Sequence, residues 1–385
     1  MQQELYFDNS ATTQPYPCVA EAMQPYLYEI YGNPSAKYHL SIPARKAIEH
    51  ARAQIADTLR ADPHEIAFTS GGTESDNWAL YGVSRALAGR GKHIITGKTE
   101  HKAILQCCAS LERYYGFEVT YLDVLENGSV DPAALKAALR KDTILVSVMT
   151  ANNEVGTINS IQELASIAHQ NGTLFHTDAV QAYGHIPLAP LMEHVDLLSA
   201  SGHKFHGPKG IGFLYIRRGT QIEPLIYGGG QESGMRSGTE NTASIVGIGC
   251  AAEQAHNGLS QRMEQLQQIR QHIIQRVLSE IPDVILTGDP EKRLPHHASF
   301  CFEDVSGLLL VDQLAKEHIY ISSGSACSNN DQAIHASHVL LAMGIPEEAA
   351  HGSVRITCSE FNTAEEADFL IERLKQKISE LRQWA

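Results

Sequence analysis

A lysine, an aspartate, a histidine and a glycine-rich turn stand at the ends of short apolar runs, and these are residue types that can do covalent chemistry. Lys204 closes the run Ser199-Ala200-Ser201-Gly202-His203-Lys204. A lysine directly after a buried strand, flanked by small residues and a histidine, differs from a solvated surface lysine. Burial lowers an amine's pKa and favours the neutral nucleophile that condenses with a carbonyl. The other reading is a surface lysine before the turn Gly207-Pro208-Lys209-Gly210. Asp178 ends Phe175-His176-Thr177-Asp178, with Gln181 three residues on. A carboxylate at the end of a buried strand needs a cation or a metal to stay charged. Capping the next helix is its alternative role. The turn Thr69-Ser70-Gly71-Gly72-Thr73-Glu74-Ser75 lets backbone approach an anion where a helix N-terminus offers free N–H groups. It is neither a Walker loop nor GxGxxG, and by itself it also reads as a plain strand-to-helix turn. His101, in Thr99-Glu100-His101-Lys102, can stack on a ring or shuttle protons, or simply be structural. Asn153, in Asn152-Asn153-Glu154-Val155-Gly156, either makes turn chemistry or bonds a ring hydroxyl.

In combination these parts match what pyridoxal 5'-phosphate (PLP) requires: a phosphate cradle, a stacking histidine, an acid for the pyridinium nitrogen and an imine-forming lysine. The acid keeps the ring nitrogen protonated, so the ring can accept electrons from the substrate's Cα.

The elements that must position these residues alternate. Candidate strands are Ile66 to Thr69, His93 to Thr96, Thr143 to Met149, Thr173 to Thr177, Val195 to Ser199 and Ile211 to Ile216, with helical patterns such as Ile161 to His169 between them. Such alternation predicts an α/β fold with a mostly parallel central sheet, which binds ligands at the carboxyl ends of its strands. From about Ala251 the texture changes. Ala251 to Glu280 reads as one long helix leading to a second, smaller α+β domain with short runs at Val284 to Leu286, Ala298 to Phe302, Ile319 to Ile321 and Val354 to Thr357. A last helix runs from about Thr363 to Trp384, opened by a capping box between Thr363 and Glu366.

Composition narrows the class. The chain has 385 residues and a formal net charge of −14, which argues against non-specific nucleic-acid binding. No apolar run approaches a membrane span, and Met1-Gln2-Gln3-Glu4 does not open like a signal peptide, so the expected compartment is the cytoplasm. Seven scattered cysteines without CxxC pairing imply no disulfide framework and no cysteine-rich zinc site. Six of them read as buried apolar residues. His335 and His338 form no metal site on spacing alone, and no metal is expected.

Ser201-Gly202-His203-Lys204, with Asp178-x-x-Gln181 before it and Ser322-Ser323-Gly324-Ser325-Ala326-Cys327 after it, resembles the NifS/IscS-type cysteine desulfurases. These belong to the class V aminotransferase group of fold-type I PLP enzymes. The likeness is nearly end to end, from Asp8-Asn9-Ser10-Ala11-Thr12-Thr13 through Gly32-Asn33-Pro34-Ser35 to Gly234-Met235-Arg236-Ser237-Gly238-Thr239. It implies a large PLP-binding domain at 15–258 and a small domain of 1–14 and 259–385. Lys204 is then the imine lysine and proton shuttle, His101 stacks on the ring, and Asp178 pairs with its nitrogen. Gln181 and Asn153 stand near the ring hydroxyl, Asn153 also near substrate. Gly72, Thr73, Ser201 and His203 hold the phosphate, and Thr239 reaches the cofactor of a neighbouring subunit, which implies a homodimer. Arg355 binds the substrate carboxylate, a task suited to the guanidinium fork.

Cys327, on a mobile arm, is the implied nucleophile that takes sulfur from L-cysteine, leaving L-alanine, and passes it to an acceptor protein, either an iron–sulfur scaffold or a tRNA-thiolation protein. An unperturbed thiol is only about 3% ionised at pH 7, so the site must supply roughly 2 kcal/mol toward thiolate. The chain departs from the family in two places. Ser328 to His335 follows Cys327 where relatives often carry Leu-Glu-Pro, which leaves the acceptor open. Cys358-Ser359-Glu360 follows Arg355-Ile356-Thr357 where many have Leu-Gly-Arg, and Glu360 is expected to alter the field on the substrate side. A selenocysteine lyase, a class V aminotransferase, or a weakly catalytic sulfur-delivery protein remain alternatives on the same scaffold.

Overall fold

The computed structural model describes residues 4–324 and 336–383. Cys327 and His335 lie outside the described residues, together with the roles expected of them.

Twelve strands are formed among the described residues: β1 (Leu5–Tyr6), β2 (Ile66–Thr69), β3 (His93–Gly97), β4 (Glu118–Leu122), β5 (Thr143–Ser147), β6 (Leu174–Asp178), β7 (Leu197–Ser201), β8 (Gly212–Ile216), β9 (Val284–Leu286), β10 (His297–Phe302), β11 (Ile319–Tyr320) and β12 (Ser353–Thr357). Seven build the central sheet in the order β2-β8-β7-β6-β5-β3-β4. Its pairings are parallel from β4 to β7, whereas β8 is antiparallel to both β7 and β2. Six strands therefore run one way and only β8 opposes them. The carboxyl ends of β2, β3, β5, β6 and β7 share one edge, where the candidate residues stand.

Strands β5 and β7 are buried along their whole length, as a parallel sheet covered on both faces requires. One face is covered by helix Gly72–Ala86, with Trp78, Leu80 and Val83 inward, and by Lys102–Tyr115, with Ile104, Cys107, Cys108 and Leu111 inward. The opposite face packs on Ser41–Leu59, Ile161–Gln170 and Thr242–His256. A separate apolar cluster joins the antiparallel sheet β12-β10-β9 to helices Leu259–Glu280, Gly307–Ala315 and Ala364–Arg382. The N-terminal segment belongs to both regions. Phe7 is fully buried in the second cluster, and Asp8 bridges Thr357 before the chain runs on toward Lys204.

The strand positions anticipated from sequence agree to within one or two residues, with two corrections. The expected helix from Ala251 to Glu280 is two helices, Thr242–His256 and Leu259–Glu280, broken at Asn257-Gly258. Gly258 takes φ 71, a left-handed conformation that costs glycine little. Strands β1 and β4 went unanticipated: β1 is only two residues long, and Glu118-Val119-Thr120-Tyr121-Leu122 at the sheet edge is half-polar and carries no long apolar run. The capping box at Thr363 is present, with Thr363 Oγ1 accepting from Glu366 N and Glu366 Oε2 accepting from Thr363 N, both at 3.2 Å. A cap contributes about 1 kcal/mol, less than burial of Leu370, Ile371 and Leu374 at roughly 1.5–3 kcal/mol each, so packing holds this helix and the cap sets where it starts. Of the cysteines expected to be buried, Cys107, Cys108, Cys301 and Cys358 are. Cys18 and Cys250 are only half-buried, their sulfurs 3.8 Å apart where helix Pro17–Met23 meets Thr242–His256.

Candidate active site

Lys204 ends the short 3₁₀ turn Gly202–Lys204 that follows β7. Its Nζ donates to the carbonyls of Ser10 at 2.6 Å and Ala11 at 2.9 Å. Gln181 Nε2 donates to the same Ser10 oxygen at 3.0 Å, so the turns after β6 and β7 meet on one atom of the N-terminal segment. That segment is pinned in turn. Thr13 donates from N and from Oγ1 to the His203 carbonyl at 2.9 and 3.0 Å, and His185 Nε2 donates to the Lys204 carbonyl at 2.8 Å.

Asp178, the last residue of β6, is buried and accepts from Val180 N at 2.8 Å. Burial pushes its carboxyl up, while the charges of His101 and then of Lys204 pull it back. These three groups, from three strand ends, thus share one electrostatic neighbourhood. His101 is the N-cap of helix Lys102–Tyr115, and its Nδ1 accepts from Ala103 N at 3.1 Å. This bond leaves the neutral ring's proton on Nε2. The residue is exposed at the mouth of the site, yet the protein beside the ring partly desolvates it and lowers its pKa, so the neutral form is favoured.

The turn after β2 has the form of an anion cradle. Gly71, the N-cap of helix Gly72–Ala86, takes φ 152 and ψ −178, a region open in practice only to glycine. No side chain among the described residues caps this helix, so its first N–H groups are open to a ligand. A Cβ on Gly72 would stand 2.5 Å from Val180 Cγ2 and 3.6 Å from Ser201 Cβ, so only glycine brings the backbone this close to the β6 and β7 turns. Glu74 braces the turn, accepting from Ser70 N at 2.8 Å and from Arg236 Nε at 2.8 Å. His203 is held to Thr12 Oγ1 at 3.2 Å, and burial pushes its ring down to about 4, leaving a neutral donor. Uncapped N–H groups, a glycine approach and neutral polar side chains suit a phosphate group, so the residues present fit PLP.

Arg355, on β12, is nearly buried. Its Nη2 donates to Asp8 Oδ1 at 2.7 Å and its Nη1 to the Asn153 carbonyl at 2.9 Å, while Nε has no partner among the described residues. Asn153 therefore enters through its backbone. The loop is shaped by its neighbour Asn152, whose Oδ1 accepts from Glu154 N and Val155 N and whose Nδ2 donates to the Thr99 carbonyl. Thr239 is exposed in the loop after Gly238, and within this chain it makes no hydrogen bond to Gly72, Thr73, Ser201 or His203. Glu360, expected to act on the substrate side, is engaged elsewhere: it accepts from the Tyr16 hydroxyl and pairs with His206 Nε2 at 3.3 Å. His338 Nε2 donates to the Glu100 carbonyl at 3.1 Å.

Sequence reading passed over several neighbours of these groups. Asp76, Glu100 and His176 are all buried close to Asp178. The signal for His176 was available, since it precedes Asp178 by two on one strand and shares its face.

A family model, aminotransferase class-V, matches residues 5–370. The chain is 50% identical to the cysteine desulfurase IscS of Dictyoglomus turgidum over 99% of this chain and 96% of that protein. It is 48% identical to the IscS of Methanosarcina thermophila, over 98% and 93%, and 44% identical to the human cysteine desulfurase, over 98% and 82%. Among solved structures, a NifS-like protein superimposes with a TM-score of 0.91 at 38% identity, covering 98% of this chain and all of the other. SspA in complex with cysteine superimposes with a TM-score of 0.82 at 35% identity, covering 94% of this chain and 100% of the other.

Proposed function

The chain belongs to the class V aminotransferase family, and from that premise we propose that it is a PLP-dependent cysteine desulfurase. The observation that carries this reading is the meeting of Lys204, Asp178 and His101 from three strand ends, beside a glycine cradle. The uncapped turn at Gly72 and Thr73, with Ser201 and His203, would hold the phosphate, and Asn153 and Gln181 would stand by the ring hydroxyl. Asp178 would keep a proton on the ring nitrogen, and His101 would stack on the ring as a neutral imidazole. When bound, the cofactor supplies an electron-accepting ring that weakens the bonds at the substrate's Cα.

The protein's own groups do the rest. The Arg355 guanidinium binds the carboxylate of L-cysteine and fixes its orientation. Lys204 Nζ takes the Cα proton and later returns a proton to the product carbon. The Cys327 thiolate attacks the substrate sulfur: the new S–S bond forms as the C–S bond breaks, and its electron pair stays with the carbon. L-cysteine and a thiol thus become L-alanine and a persulfide, with atoms and electrons balanced. The persulfide passes to a sulfur-acceptor protein, an iron–sulfur scaffold or a tRNA-thiolation protein. Thr239 would complete the phosphate site of a second copy, which makes the working unit a homodimer, with residues 15–258 as its large domain and 1–14 with 259–385 as its small one. No helix among the described residues is long and apolar enough to cross a membrane.

The test is incubation of the PLP-loaded protein with L-cysteine, followed by alanine assay and peptide mass analysis. Alanine together with one added sulfur on the peptide bearing Cys327 is expected. Keto-acid-dependent amino transfer without added sulfur would overturn the reading.

A further inference from the structure

Behind Asp178 lies a set of polar groups that the reaction above leaves unused. His176 and Asp178 share one face of β6. The register places Ser147 of β5 beside His176 and Ser199 of β7 beside Asp178. The His176 ring is fully buried, held at Nδ1 by Ser147 Oγ at 2.8 Å and at Nε2 by Ser199 Oγ at 3.0 Å. Helix Gly72–Ala86 covers this face and inserts Asp76, 1% exposed, whose Oδ1 stands 3.8 Å from His176 Nε2 and has no hydrogen-bond partner among the described residues. Glu100, equally buried, accepts from Met149 N through Oε1 at 2.8 Å, while its Oε2 is also unpartnered.

Three buried carboxyls therefore stand within electrostatic reach of one another, but their surroundings differ. Asp178 faces the two groups able to carry positive charge, His101 and Lys204. Asp76 faces Glu100, Asp178, the Cys107 thiol and His176, whose burial pushes its ring down to about 3 and keeps it neutral. A buried site with no cation among the described residues does not keep a second carboxylate charged beside the first. Protonating it is the cheaper outcome. Oδ1, which accepts no hydrogen bond among the described residues, is the oxygen free to carry that proton.

We propose that Asp76 is a positioning residue held as a neutral carboxylic acid: with His176 and Ser199 it fixes the strand end that carries Asp178, and so held it adds no further negative charge beside Asp178. The consequence at the ring rests on the PLP reading above, whereas the charge state of Asp76 does not.

Asp76→Asn keeps the size and cannot ionise. In the full chain freed of cofactor, a buried neutral Asp76 lowers native stability progressively as pH rises above about 4, because only the unfolded chain can then ionise it. The Asn variant escapes this loss. Its unfolding midpoint should therefore rise relative to wild type between about pH 5 and pH 8. A midpoint that falls relative to wild type, or a constant difference, overturns the proposal. Infrared spectra of the wild type at about pH 7.5 should retain a protonated-carboxyl stretch that weakens in Asp76→Asn, where a Glu100 band would persist; an unchanged band overturns the proposal, and so does absence of the band in wild type, even if the variant does not fold. In the PLP-loaded chain, the pH midpoint of the visible band should match wild type in Asp76→Asn and move by roughly one unit in Asp76→Ala. A shift in both, or in neither, rejects the positioning role. A wild-type chain that shows no visible band with PLP counts against the proposed function, while the stability and infrared results still decide the charge of Asp76.

Discussion

Arg355 Nη2 stands 2.7 Å from Asp8 Oδ1, and only 7% of the arginine side chain and 18% of the aspartate's are exposed. With Nη1 on the Asn153 carbonyl, the guanidinium is fixed by one contact from the N-terminal segment and one from the loop after β5. A planar fork with five N–H groups can keep both contacts and still have N–H groups left for a carboxylate, whereas an ammonium on a flexible stem cannot.

Arg355→Lys should therefore raise KM for L-cysteine by about 10–100-fold with kcat little changed, matching the loss of a charge-assisted contact. Steady-state alanine formation measures both. A fall in kcat at unchanged KM would remove Arg355 from carboxylate binding.

Gly72→Ala puts a methyl group 2.5 Å from Val180 Cγ2, too close to be absorbed without moving the turn. Overpacking of this kind costs about 1–3 kcal/mol, so PLP affinity should drop by about 10-fold or more. Val180→Ala in the same chain makes room for the methyl and should recover most of the loss, as fluorescence titration with PLP would show. Without that recovery the loss would not be steric.

Lys204→Ala removes the amine while Gln181 keeps its bond to Ser10. The protein should still fold, lack the visible absorbance of the bound cofactor, and form alanine about 10²–10⁴-fold more slowly. Retained absorbance and turnover would place the covalent lysine elsewhere.

Cys327→Ser should keep that absorbance and substrate binding, yet give no added sulfur on its peptide and no sulfide release under reductant. Full-rate desulfuration by this variant would take the nucleophile role from Cys327.

Legibility of the fold and site from sequence followed the kind of signal involved. Continuous apolar runs such as Thr143-Ile144-Leu145-Val146-Ser147 marked the interior strands, because a sheet buried on both faces needs them. Half-polar β4 offered no such run, and the break at Gly258 was hidden inside an otherwise continuous helical pattern. At the site, residues were legible where chemistry restricts the residue type: a lysine, an acid or paired glycines after a strand. The groups behind them were not. Nothing in the neighbourhood of Asp76 in the chain announces that helix Gly72–Ala86 lays it against His176, and Asp8 meets Arg355 across most of the chain's length. Glu360 shows the converse. Its type suggested an influence near Arg355, yet the fold turns it to Tyr16 and His206.

That pairing makes Glu360 a source of pH-dependent stability. Burial alone would raise its pKa, but the bond and charge of His206 and the Tyr16 hydroxyl outweigh it and bring the carboxyl down to about 2. A carboxylate depressed in the native state adds stability that is fully present above its unfolded pKa of about 4.3 and is lost as pH falls toward the folded value. Glu360→Gln keeps an acceptor for Tyr16 but no charge for His206. Wild type should exceed the variant by on the order of 2 kcal/mol near pH 6, and the gap should close between about pH 4.5 and pH 2. Urea unfolding across that range measures it. A gap that stays constant down to pH 2 would mean that Glu360 contributes through shape and hydrogen bonding alone. Because Tyr16 stacks on His206 with ring centroids 4.4 Å apart, and His206 N donates to Thr13 Oγ1 at 2.7 Å, loosening this cluster should also be felt at the N-terminal segment under Lys204. The same variant should then weaken PLP binding in step with its loss of stability.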